Sequence, residues 1–340
     1  SGDTILVGAP EEDQTGCTNC GAVYFYTRTG TTWSLHQHIT GLAAGVTAYS
    51  ERAGFGAALA IDGDTAVVGA YGDDQGPSVP DTGAVYVFSR TTGTWNLPPA
   101  RLVSNDIAVL DRFGFAVDID GPTIVVGAPQ HEDVDGDLQG GSVYVFQHTA
   151  GSWTQTQQLY GSQTGAYDNF GYAVSIDAQS LVIGAPVHNS SAGIAYLFTE
   201  QAGVWGELFY FATPIAASGQ QNFGRSVDLH INDSTGDGTM LVGAPLTMLD
   251  SENFTGMAYP YHTVSGSWTY DNTLNYNLNI PSQASQFLGG AVATNQDIIL
   301  VGADAHSAFN TTDVGAVFRT DNTPYRKKTA FDAQQDDYFG

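Results

Sequence analysis

One dipeptide returns along this chain at a nearly constant distance. Gly-Ala occurs at Gly8-Ala9-Pro10, Gly69-Ala70-Tyr71, Gly127-Ala128-Pro129, Gly184-Ala185-Pro186, Gly243-Ala244-Pro245 and Gly302-Ala303-Asp304, copies about 60 residues apart. Repeats of this length are single supersecondary units that bury their faces only by stacking on neighbours, so the chain must be modular. A second dipeptide keeps phase with the first. Phe-Gly stands at Phe55-Gly56, Phe113-Gly114, Phe170-Gly171 and Phe223-Gly224, is altered to Phe287-Leu288-Gly289, and returns as Phe339-Gly340.

The copy from Phe113 to Pro129 shows what the unit is. Phe-Gly opens an alternating apolar segment, Asp120-Gly121 turns it, and the β-branched run Thr123 to Val126 answers it before Gly127. That pattern predicts a tight hairpin, with Asp-Gly as the central pair of a turn in which both residues have positive φ. After a polar loop comes a third strand of one type: Gly21 to Tyr26, Gly83 to Phe88, Gly141 to Phe146, Gly193 to Phe198, Gly256 to Tyr261 and a shorter Gly315 to Phe318. A fourth strand follows, led by Trp33, Trp95, Trp153, Trp205 and Trp268, with Tyr325 near that place in the last copy. Small residues, Ala58, Ala116 and Ala173, sit in the first strand, where the reading is that the inner part of the unit is crowded.

Four antiparallel strands per repeat describe an all-β fold, a β-propeller of four-stranded blades with six repeats visible and a ring of six or seven. Residues 1–340 are read as a single domain, with a first blade over 1–54 that lacks its first strand. Further blades cover 55–112, 113–169, 170–222, 223–286 and 287–338, and 339–340 begins a closing or further first strand. The expectation is a piece of a longer chain.

Composition removes several function classes. A formal charge of −25, from 35 acidic against 10 basic residues, opposes any phosphate-binding surface, so nucleic acid is excluded as a partner. No apolar run approaches the roughly 20 residues of a membrane-spanning helix, and membrane insertion by this segment is not expected. Cys17 and Cys20 are the two cysteines; with no second pair to complete a zinc site, they read as a local disulfide formed in an oxidising compartment or as free thiols. No nucleophile elbow, phosphate loop or His-Glu-X-X-His appears, so no catalytic residue is assigned.

The paired Phe-Gly and Gly-Ala-Pro motifs, in phase with the Tyr-Phe strand and the Trp, resemble the FG-GAP repeat of the integrin alpha-subunit propeller and related secreted surface proteins. The resemblance covers nearly the whole chain. It implies a propeller that binds partners through loops on one face and carries out no reaction. It also draws attention to calcium, since integrin-like repeats often hold the ion between the first and second strands. Here the Asp62-Gly63 and Asp120-Gly121 turns offer too few oxygens. Only the turn containing Asn232, Asp233 and Asp237 is long enough, and an ordinary polar turn is the alternative there.

The residues themselves suggest a different cation site after the third Gly-Ala-Pro, where Asp133, Asp135 and Asp137 alternate; the alternative is a solvated acidic loop. Four residues beyond the motif glycine stand Glu12, Asp73, His131, His188 and His306, with Thr247 in the fifth copy, a set read as a polar rim that faces a ligand, the alternative being ordinary loop histidines with no such role. Asp111, Asp168 and Asp337 precede Phe-Gly by two positions and are expected to bond the backbone of the entering strand. Asn-X-Ser/Thr sequences at Asn189, Asn232, Asn253 and Asn310 are candidate glycosylation sites. The functional expectation is an extracellular or cell-surface binding or assembly module with a protein or glycan partner. The alternatives are a structural fibre or coat subunit and a secreted polysaccharide hydrolase or lyase.

Overall fold

The computed structural model describes residues 1–47, 52–76, 78–106, 108–132, 139–214, 220–232, 234–248, 256–264, 267–271, 287–295, 298–303, 316–321 and 323–328. The chain divides into two compact units, one of Ser1–Tyr160 with Gly165–Gly171 and one of Gly161–Thr164 with Tyr172–Gly340. Each holds three antiparallel sheets. The first unit contains β1 (Thr4–Ala9), β2 (Ala22–Thr29) and β3 (Thr32–Thr40), then β4 (Ala58–Asp62), β5 (Thr65–Ala70), β6 (Ala84–Thr91), β7 (Thr94–Trp95) and β8 (Ala100–Leu102). Its third sheet is β9 (Ala116–Asp120), β10 (Thr123–Ala128), β11 (Ser142–Thr149) and β12 (Ser152–Leu159). The second unit contains β13 (Ala173–Asp177), β14 (Ser180–Ala185), β15 (Ile194–Gln201) and β16 (Val204–Phe211), then β17 (Ser226–Ile231), β18 (Gly238–Ala244), β19 (Met257–Val264) and β20 (Ser267–Tyr270). Its last sheet is β21 (Leu288–Thr294), β22 (Ile299–Ala303), β23 (Ala316–Asp321) and β24 (Thr323–Lys328).

The fold is all-β and built of propeller blades, with strands ordered as they occur in sequence. The first sheet has three strands, β1 to β3, and in the second the outermost strand is broken into β7 and β8, both paired with β6. No helix among the described residues is long and apolar enough to cross a membrane.

The inner hairpin forms where the sequence places it, but its turn sits one residue later. Asp120 pairs with Thr123, so the central residues are Gly121 and Pro122. Asp62 likewise pairs with Thr65 around Gly63 and Asp64, and Asp177 with Ser180 around Ala178 and Gln179. Only the first central residue has positive φ, at 53° in Gly63, 51° in Gly121 and 53° in Ala178. Proline cannot adopt positive φ, so a turn with two such residues is closed to Gly121-Pro122.

What joins one blade to the next is a set of glycine contacts. The glycine of Phe-Gly sets its carbonyl against the motif glycine of the preceding blade, in the pairs Gly56 on Gly8, Gly114 on Gly69, Gly171 on Gly127, Gly224 on Gly184 and Gly289 on Gly243. A Cβ at any of these second glycines would overlap the carbonyl oxygen. Inside its own hairpin the Phe-Gly glycine donates its N–H to the following motif glycine, as Gly56 does to Gly69 at 3.0 Å and Gly114 to Gly127 at 3.1 Å. The phenylalanine completes the joint. Phe113 donates its N–H to Thr82 O at 2.9 Å in the preceding blade, while its fully buried ring packs edge-on against Tyr144 and Phe146 of its own. Phe55, Phe170 and Phe223 repeat the backbone bond and are equally buried. In the altered copy Leu288, not Phe287, takes the phenylalanine place and pairs with Gly256.

The apolar cores accordingly lie between adjacent blades. One cluster joins Val23, Phe25 and Ile39 of the first to Val68, Tyr86 and Phe88 of the second, and others join the second to the third and the fourth to the fifth. The small first-strand residues answer to the same crowding: Ala58 and Ala116 lie in register with Gly69 and Gly127.

Gly127→Ala is expected to lower stability by ~1–3 kcal/mol, the usual cost of overpacking a rigid site. Gly206→Ala, where an added Cβ meets nothing within 4 Å, should stay within ~0.5 kcal/mol of the parent. Urea unfolding of both variants checks the contrast, and equal losses would contradict it.

Candidate functional site

The residue four beyond the motif glycine is fixed by its backbone before its side chain acts. Its N–H reaches back to the motif alanine carbonyl, Glu12 to Ala9 at 3.1 Å, Asp73 to Ala70 at 3.0 Å, His131 to Ala128 at 3.2 Å and Thr247 to Ala244 at 3.2 Å. Its own carbonyl accepts from the glycine that starts the third strand: Gly21 on Glu12, Gly83 on Asp73, Gly141 on His131, Gly193 on His188 and Gly256 on Thr247, all at 2.9 to 3.0 Å. These two bonds close the base of the loop in the first, second, third and fifth blades, the bond from Gly193 does so in the fourth, and the intervening residues are left outside the frame.

With the backbone pinned, the side chain lies beside a tyrosine of the third strand and that tyrosine's cross-strand partner. In the first blade Tyr24 donates to Glu12 Oε2 at 2.6 Å, and His38, stacked on Tyr24 with centroids 4.3 Å apart, lies 3.0 Å from Glu12 Oε1. In the second, Tyr86 donates to Asp73 Oδ2 at 2.7 Å and Arg101 donates to the same oxygen at 2.8 and 3.1 Å, while Thr47 donates through its N–H to Oδ1 at 3.1 Å. Asp73 is fully buried, with 0% of its surface exposed. Burial, and after it the Asp73 charge, pushes the Tyr86 hydroxyl well above the usual range; for Arg101 burial opposes the charge, and Asp73 outweighs it to raise the pKa.

His131 occupies this place in the third blade. Gln158 donates from Nε2 to Tyr144 Oη at 3.0 Å and lies 3.2 Å from His131 Nε2. Two carboxylates flank the imidazole, Asp111 at 3.2 Å from Nδ1 and Asp106 at 3.4 Å from Nε2. Burial favours the neutral ring, yet Asp111 and then Asp106 prevail and raise its pKa. His188 is half-buried on the turn His188–Ser191, where Asn189 and Ser190 have left-handed φ. Glu12, Asp73 and His131 are thus each engaged beside the tyrosine of their own blade, Asp73 also by Thr47 and His131 also by Asp106 and Asp111 of the preceding blade, rather than gathered at one point, and His306 lies outside the described residues.

The remaining sequence candidates are placed as follows. Cys17 and Cys20 form a disulfide. Asp133, Asp135 and Asp137 lie outside the described residues, as do Asp233, Asn253, Asn310 and Asp337. Asn232 Oδ1 accepts from the N–H groups of Ser234 at 2.8 Å and Thr235 at 3.2 Å, an Asx-type turn that occupies this oxygen. Asp237 donates its N–H to Thr235 Oγ1 within the same turn. Among the described residues no group of three or more His, Cys, Asp or Glu side chains is placed to hold a metal ion. Asn189 is exposed and Asn232 half-buried. Asp111 and Asp168 do bond to backbone, but to the loop behind them: Asp111 accepts from Ala108 N–H at 2.6 Å and Asp168 from Gly165 N–H at 2.8 Å. The carboxylate closes a turn three residues upstream.

One polar group escaped sequence reasoning. Asp228 in β17 accepts from Thr294 N–H in β21, and Ser175 Oγ in β13 lies 3.4 Å from its Oδ1 while accepting from Leu229 N–H at 3.2 Å. It therefore links three successive first strands. Desolvation raises its pKa to about 6, against the hydrogen bonds that lower it. The signal was a carboxylate in the middle of a first strand, between Val227 and Leu229.

Comparison with protein families matches the FG-GAP repeat at residues 47–88, 99–146 and 153–198. These segments are FG-GAP repeats, and an integrin-like propeller is consistent with them. Comparison with curated proteins returns no match.

Arg101→Met should cost ~3–5 kcal/mol by leaving the Asp73 carboxylate buried without its guanidinium, and adding Asp73→Asn should recover much of that loss. Denaturant unfolding of the single and double variants measures it; a single variant as stable as the parent would contradict the arrangement. For Asp228 the folded pKa lies above the unfolded value, so folding favours the protonated form. Its contribution is most favourable below about pH 4, falls through pH 4 to 6, and stays low above that. Asp228→Asn is expected to exceed the parent by roughly 1–3 kcal/mol at pH 7.5 and to lose that advantage at pH 4, read from unfolding at the two pH values.

Proposed function

We propose that this chain is a non-catalytic recognition module of an extracellular or cell-surface protein, contacting a protein or glycan partner through the loops that follow Gly-Ala. The observation that carries this reading is the contrast between base and interior in those loops. The closing bonds at Glu12, Asp73, His131, His188 and Thr247 repeat from blade to blade. The sequences between them do not, running from the disulfide loop before Gly21 to the short turn before Gly193. A rigid frame that presents variable loops suits recognition, because the frame fixes where each loop starts and ends and the loop supplies the contacts. FG-GAP repeats occur in extracellular proteins, and the disulfide accords with an oxidising compartment.

Labelled chain should bind to the surface or extracellular material of its source, with competition by unlabelled chain. Exchange of the segment between Pro10 and Cys20 for the corresponding segment of the fourth blade should reduce that binding, whereas alteration of the turn at Gly63-Asp64 should not. Binding that depended on the inner hairpin turns and ignored the loops would overturn the reading.

A further inference from the structure

The junction between the first two blades departs from the next three in two coordinated positions. The residue before the motif phenylalanine is Arg112, Asn169 and Asn222 at later junctions, and the residue after Gly-Ala in the blade it enters is Pro129, Pro186 and Pro245. Here they are Gly54 and Tyr71. A Cβ on Gly54 would stand 2.9 Å from the Tyr71 ring, so the glycine is what makes room for the aromatic side chain. The result is a cleft of about 380 Å³ lined by Pro10, Glu11, Asn19, Arg52, Gly54 and Tyr71.

The lining is held by backbone. Arg52 donates to Thr18 O at 3.0 Å, Gly54 to Asn19 O at 3.3 Å and Phe55 to Cys20 O at 3.2 Å, so the disulfide loop is stitched to the entry of the second blade. Asn19 and Arg52 both carry positive φ, at 51° and 72°. Among the described residues neither Glu11 nor Arg52 takes part in an ion pair.

We infer that this cleft is a binding site for a neutral pyranose, a step that rests on the recognition reading above and assigns its location and ligand class. Tyr71 supplies an aromatic wall for the apolar face of a sugar ring. The Arg52 guanidinium offers only donors, the Glu11 carboxylate only acceptors, and Asn19 both, a set that vicinal hydroxyls satisfy because each hydroxyl donates and accepts. Among the lining residues the charges of Glu11 and Arg52 cancel, and although the Arg112 guanidinium lies 5.8 Å from the Tyr71 ring centroid, the chain as a whole carries −25, which disfavours phosphorylated and uronic ligands. The volume lies within the range of small-ligand sites, where a few directed polar groups set orientation.

The test is titration of the full chain with methyl β-D-glucopyranoside, methyl β-D-galactopyranoside and methyl α-D-mannopyranoside, followed by saturation-transfer NMR, with glucuronate as the charged comparison. At least one neutral glycoside should bind, more tightly than glucuronate. Tyr71→Ala should weaken it about tenfold or more, the scale of a lost aromatic contact, and Tyr71→Phe should not. The double variant Gly54→Arg/Tyr71→Pro rebuilds the arrangement of the next junction; it should melt as the parent does and bind no glycoside. Absence of binding by all three glycosides, or binding indifferent to both Tyr71→Ala and the double variant, would overturn the assignment. Loop-dependent binding to source material in the absence of glycoside binding would sink this site while leaving the recognition reading in place; loss of both would sink the two together.

Discussion

Everything in this chain depends on the approach of one glycine to another across successive blades. A carbonyl pressed against a Cα leaves no space for a side chain, so the motif glycine and the Phe-Gly glycine are demanded together. Once that contact is made, the phenylalanine can bond the preceding blade through its backbone while its ring enters its own blade's aromatic layer. The cores between blades then follow from the same joint, since it sets how closely one sheet lies on the next.

The joint also decides where chemistry is available. The residue four beyond the motif glycine is drawn inward by two backbone bonds, and polarity there is absorbed by a tyrosine and its cross-strand neighbour. Asp73 with Tyr86 and Arg101 is the fully buried form, Glu12 with Tyr24 and His38 a more open one, and His131 with Gln158 and Tyr144 the form that recruits two further carboxylates. These groups support the loops. In the recognition reading proposed above, contact with a partner falls to the residues beyond them, where the frame no longer dictates identity.

How far this was legible in the sequence follows from where each cause resides. The blades were readable because their cause is local and repeated: glycine, phenylalanine and tryptophan at fixed offsets. The hairpin turn was misread by one residue, because Asp-Gly pairs attract the eye although the aspartate ends a strand and the glycine alone needs positive φ. The polar position was visible as a position, but its role was not, since Tyr86 and Arg101 come from other strands and only the register brings them to Asp73. Asp228 was missed because its partners belong to neighbouring blades. The cleft at Gly54 was hardest of all, because it is made by a side chain that is absent, and such a gap has meaning only beside Tyr71.

The division between a fixed loop base and a free loop interior is the centre of this account, and residue-resolved amide hydrogen exchange tests it most directly. The N–H groups of Gly21, Gly83, Gly141, Gly193 and Gly256, which close the loop bases, should exchange as slowly as the strands they begin, while amides such as those of Glu11 and Gln130, outside the closing bonds, exchange far faster. Closing glycines that exchange at the rate of the loop interiors would contradict it.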